Sequence, residues 1–151
     1  MNLEKGSGEW DMDTSRRDAL IQAMEAAERT GDGFLLVSLD DFFVGNDQFG
    51  SICPHVIPQP HPSEVFAVFE AIRQNTSVGG VYVMPTQIDR YDEWPFSDTI
   101  WIITSLSLAQ LEAMIPMNFL PSEWLEGWPT HFKCQERFVP EGMRPIAAWY
   151  D

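Results

Sequence analysis

From Thr14 to Thr30 apolar residues recur at helical spacing, with Leu20, Ile21, Met24 and Ala27 on one face and Gly31 just beyond as a stop. The period then changes. After a Gly-Asp-Gly turn, residues 33–39 (GFLLVSL) form a short continuous apolar run, the pattern of a buried strand. Residues 39–61 carry three prolines and two glycines without sustained periodicity, which predicts a long loop. In HPSEVFAVFEAIRQN, Pro62 suits a first helical turn and Val65, Val68, Phe69 and Ile72 form a stripe, predicting a helix of about four turns. Two strands follow, VYVMPTQI and TIWIITS, separated by DRYDEWPFSD as a long hairpin tip. Ser107 and Gln110 match a capping box ahead of Leu108, Leu111, Met114 and Ile115, a short helix. Residues 116–144 read as irregular around Pro116, Pro121, Pro129 and Pro140, and the final PIAAWYD reads as a last strand.

After the first helix the order is therefore strand, helix, strand, strand, helix, strand. It predicts an α+β fold, a ferredoxin-like βαββαβ sandwich whose four-stranded antiparallel sheet carries helices on one face. The N-terminal helix is an addition that covers an edge or the open face. Residues 1–13 are polar and Gly-interrupted and read as a flexible arm, leaving 14–151 as a single domain.

Composition narrows the function classes. Apolar residues make up 44% and aromatics 13%, enough burial to offset chain entropy without disulfides or metals. Acids outnumber bases 23 to 9, a formal net charge of -14, and residues 31–130 hold two bases only, Arg73 and Arg90. Nucleic-acid binding needs clustered Lys and Arg, so it is not expected, and anionic membranes are repelled in the same way. No segment approaches the ~18 uncharged apolar residues of a membrane span, and the N-terminus lacks a signal-peptide core. Cys53 and Cys134 lie far apart, which suits free thiols in a reducing compartment; a cytoplasmic protein is the expectation.

Alternating chain direction through the expected topology gathers three long connections, 39–61, 88–97 and 116–144, at one end of the sheet. All three histidines, both cysteines and Trp94, Trp124 and Trp128 fall in them. Long loops on a rigid sheet are where binding residues collect. Two stretches there, LDDFFVGND and DEWPFSD, set aromatics among acids. Carboxylates pair with Lys and Arg, and indole faces accept cations, so the expected surface for a basic protein partner comprises Asp40, Asp41, Phe43, Asp47, Asp92, Glu93, Trp94 and Trp128. In this reading Phe42 or Phe43 anchors the loop while the aspartates face outward. The alternative is that Trp94 and Phe96 fold back as a lid on the core.

A competing chemistry uses Cys53, His55, His131 and Cys134. Two thiols and two imidazoles are ligands that tetrahedral zinc accepts, but C-x-H and H-x-x-C across the chain are not the usual paired spacings. The same residues allow a cysteine nucleophile with a histidine base, with no motif to choose the base. No calcium-loop spacing, Gly-rich phosphate loop or GxSxG elbow is present, and no cofactor is expected.

The runs WPFSDTIWIIT, LDDFFVGND, EGW and AAWYD resemble small acidic single-domain bacterial proteins of unassigned function, and this class is similar to the immunity proteins that neutralise toxins. The resemblance spans residues 34–151 and implies bacterial origin; no residue role comes with it. Together these features favour a non-enzymatic, acidic protein-binding domain, an immunity- or antitoxin-type inhibitor of a basic partner. The alternative is a small enzyme or zinc-binding module.

Overall fold

A computed structural model of the chain describes residues 12–151. Residues 1–11 of the expected arm lie outside the described residues. Asp13, also assigned to that arm, is the N-cap of helix α1 (Thr14–Thr30), its carboxylate accepting the Arg16 N–H at 3.1 Å. Gly31 ends this helix at φ 75°, a left-handed conformation that glycine adopts without a Cβ penalty, as the sequence predicts.

Strand β1 is only Val37–Ser38, and the expected loop opens instead with a short helix, α2 (Leu39–Phe43). The Ser38 hydroxyl accepts the Asp41 N–H, and Asp40 and Asp41 sit in the positive first turn. Helix α3 (Pro62–Arg73), strands β2 (Val78–Gln87) and β3 (Phe96–Thr104), and helix α4 (Leu108–Ala113) follow, α4 with both hydrogen bonds of its capping box. A 3-10 turn at Met117–Phe119 leads to β4 (Glu123–Glu126), and the described chain closes on β5 (Arg144–Trp149).

The five strands of the described residues make one antiparallel sheet in the order β1-β2-β3-β5-β4. The α+β class stands, but the ferredoxin-like arrangement does not describe this sheet. A split βαβ unit separates its first two strands by a third. Here α2, the following loop and α3 bring the chain back so that β2 pairs directly with β1, Val37 opposite Val83. The extra strand β4 escaped the pattern because only Trp124 of its four residues is half-buried, leaving no alternation to detect.

The four helices of the described residues all contribute to one core on one face of the sheet. Leu20 of α1, Leu39, Phe42 and Phe43 of α2, Val65, Phe69 and Ile72 of α3, and Leu111 of α4 pack there with Val81, Val83, Ile100, Ile102, Ile146 and Ala148. The second face is also covered, by an irregular strap. Tyr82, Met84, Trp101 and Ala147 meet Leu36, Trp128, Phe132 and Cys134. Burial on both faces explains why β3 reads as a continuous apolar run rather than an alternating one.

The strap alters the expected gathering of loops. The first connection and the hairpin tip do meet: the Ser97 N–H donates to Ser51 O at 2.9 Å, and Trp94 lies edge-on to Phe42 with ring centroids 6.5 Å apart. The third connection starts near that end, where the Tyr150 hydroxyl donates to Phe119 O at 2.7 Å. It then crosses the rear face to the opposite end, packing Met143 and Pro140 so tightly on Gly79 that a Cβ there would lie 2.9 Å from the Met143 sulfur. Its Trp128 and Phe132 cover the rear face of the sheet.

Candidate functional site: an acid-rimmed groove beside helix α1

A half-open groove of about 740 Å³ lies between the C-terminal half of α1 and the splayed end of the β1–β2 pair. Continuing the register of Val37 opposite Val83 would set Leu35 against Pro85 and Gly33 against Gln87. The chain does not continue it. The Phe34 N–H donates to Lys133 O at 2.9 Å and Phe34 O accepts from the Gln135 N–H at 2.8 Å, so residues 33–35 peel away from β2 to join the strap. Gly33, at φ 84°, permits that close approach, since a Cβ would fall 2.3 Å from Lys133 O.

The floor of the groove is apolar, with Met24, Leu35, Pro85 and Ile88, and its mouth is polar. Glu25 and Glu28 stand one turn apart on α1 and face Tyr91, whose hydroxyl donates to Glu25. That hydrogen bond and the negative charge of both glutamates hold the exposed Tyr91 phenol above its ordinary pKa of 10.0. Among the described residues neither glutamate forms an ion pair. Lys133, the one basic residue lining the groove among the described residues, donates from Nζ to Gly31 O at 3.1 Å, capping the negative end of the helix. A volume of this size lies within the ~300–1,000 Å³ of ligand pockets.

The residues chosen from sequence are dispersed. Phe43 is 5% exposed and Trp94 3%, so both are core residues and neither is a surface anchor. For Trp94 the lid alternative describes its place. Trp128 packs on Trp101 with centroids 4.8 Å apart, within the rear layer. Asp40 and Asp41 are exposed as expected, and each already has a cation: Arg73 at 3.4 Å from Asp40, Arg16 at 3.6 Å from Asp41. Asp92 chelates Arg90 through two bonds of 2.9 Å, which hold its carboxyl below the ordinary range, and Glu93 lies 4.0 Å from the same arginine.

Asp47 is turned inward. Its Oδ1 lies 2.6 Å from Nε2 of His61, the N-cap of α3. Because the Ser63 N–H donates to His61 Nδ1 at 3.1 Å, Nε2 carries the ring proton and donates it to Asp47. The pair therefore orients the cap and ties the long connection to the helix it precedes. His61→Ala is expected to destabilise the fold by about 3 kcal/mol, losing the cap and leaving a buried carboxylate without its donor. Urea unfolding measures this; a loss under about 1 kcal/mol would contradict the assignment.

The zinc or cysteine-enzyme set is not assembled. Cys53 belongs to the helix-side core and Cys134 to the rear layer, so the sheet stands between the thiols. His55 and His131 are exposed, and no cluster of three metal-ligating side chains occurs among the described residues. Burial pushes the Cys53 thiol up to about 12, opposite to what a nucleophile needs.

Sequence reasoning missed Glu25, Glu28 and Tyr91. A signal existed, since EAAE places two acids on one helical face beside the apolar stripe, but nothing local says which surface that face meets. No helix among the described residues is long and apolar enough to cross a membrane.

No solved structure matches the chain. A relative in Escherichia coli (strain K12), "Uncharacterized protein YfbO", is 38% identical over 116 residues, covering 77% of this chain and 82% of that protein. With a family model described as "Uncharacterized protein YfbO family" matching residues 15–148, the chain belongs to that family.

Proposed function

We propose that this protein is a non-enzymatic binding module for a basic protein, an inhibitor of immunity or antitoxin type being one form of that role. The observation that carries the reading is the groove mouth, where Glu25 and Glu28 face the same space without a cationic partner among the described residues. Most other carboxylates of the expected binding surface already have one. Asp40, Asp41, Asp92 and Glu93 are matched internally by arginines, which leaves the groove as the better place for an external cation.

The surplus of acids acts at longer range. A net charge of -14 attracts a cationic partner, raising the rate of encounter in a manner that salt screens. Affinity capture of partners from the native cell, followed by association kinetics at ~50 and ~300 mM salt, tests the reading. A captured protein of basic character whose association slows at least tenfold at the higher salt is the expected result. Partners that are neutral or acidic, or that associate at a rate independent of salt, would overturn it.

A further inference from the structure

The geometry points to an extended peptide segment with a central arginine or lysine as the occupant of the groove. This inference rests on the proposed function and deepens it by fixing where the basic partner docks and in what conformation.

Two sources of negative potential converge on the mouth. Glu25 and Glu28, three residues apart on α1, repel each other and have no described cation between them. Tyr91, 63% exposed, offers an aromatic ring beside the Glu25 carboxylate. A guanidinium placed there gains paired carboxylate hydrogen bonds and a ring face together. Lys133 does not fill this role, because its ammonium is committed to the Gly31 carbonyl at the other end of the helix turn.

The backbone geometry selects an extended shape. Strand β2 runs on to Gln87 and stays paired with β3, while its β1 partner stops at Val37 opposite Val83. Residues 85–88 therefore lie along the groove with no strand beside them on that side among the described residues. A peptide that lies against this edge adds a short strand, and its side chains alternate between the apolar floor and the acidic mouth. Pro85 has no N–H to offer, so recognition leans on the side chains, and the basic residue becomes the main determinant.

The test uses the full chain with a library of randomised eight-residue peptides, each pool fixing one residue at a central position, read by fluorescence polarisation. Pools fixed as Arg or Lys are expected to bind at least tenfold more tightly than pools fixed as Gln or Glu. Glu25→Gln/Glu28→Gln should abolish that preference while circular dichroism and the thermal midpoint stay unchanged. In NMR spectra the perturbed amides should map to residues 24–35 and 85–91. Equal binding of all pools, no binding, or a preference that survives the double substitution would each overturn the assignment. The partner captured from cells separates the two levels. If it binds the double variant as well as the original protein, the groove is wrong and the binding role stands; if no basic partner exists, both fall.

Discussion

Phe42→Ala is expected to cost about 3–5 kcal/mol of folding free energy, the range for removing a large aromatic side chain from a closed core. Phe42 is 0% exposed, meets Phe43 edge-on at 5.1 Å and also contacts Trp94, so one ring ties α2 to the hairpin tip. The neighbouring aspartates make the contrast within one helical turn. Asp40 and Asp41 hold their arginines with side chains 54% and 65% exposed, and solvent-screened pairs of that kind contribute under about 1 kcal/mol. Asp40→Ala and Asp41→Ala should therefore shift the urea midpoint only slightly, where Phe42→Ala moves it by a large fraction of total stability. If all three substitutions cost the same, the division of this acidic aromatic stretch into anchor and solvated face is wrong.

The second large effect is alkaline. Cys53 is 0% exposed, and burial raises its thiol from an ordinary 9.0 to about 12. A raised pKa means that the folded state keeps the proton which the unfolded state gives up. The resulting stabilisation is complete below pH 9 and is lost as the pH rises through about 12, at about 1.4 kcal/mol per pH unit. Across that window the total is on the order of 4 kcal/mol. Tyr150 works in the same direction, its phenol raised by burial and by the neighbouring Cys53. Denaturant titrations between pH 8 and 11.5 should thus show stability falling steeply, and Cys53→Ala should flatten part of that fall while Tyr150 retains the rest. An identical slope in the two proteins would refute the assignment to Cys53. The same burial predicts that thiol reagents at pH 8 label the native protein far more slowly than the unfolded chain.

Much of the secondary structure was legible because it depends on short-range spacing. Helix α1 has the expected bounds, the Gly31 stop and the Ser107–Gln110 capping box act as read, and α3, β2, β3 and β5 occur where periodicity puts them. Helix α2 was hidden in a segment of five residues, too short to display a period, and β4 lacks an alternating face.

The candidate site was scarcely legible. The aromatics of the acidic stretches drew attention as binding residues, yet Phe43 and Trp94 are buried because apolar area gains more from leaving water than from staying at the surface. Asp40 and Asp41 remained outside and found arginines at distant positions in the chain, pairings that spacing does not reveal. Glu25, Glu28 and Tyr91 come together only because α1 and the hairpin tip lie across the groove from each other.

The amino-acid order by itself determined most of the elements, the acidic surplus and the amount of apolar surface that must be buried, since each follows from local periodicity or from composition. Tertiary structure alone decided the strand order, the strap over the second face and the separation of the two cysteines by the sheet. It also left two glutamates facing an open groove. Those outcomes depend on which distant segments compete for the same backbone hydrogen bonds, as when Phe34 pairs with the strap and leaves the end of β2 without a neighbour.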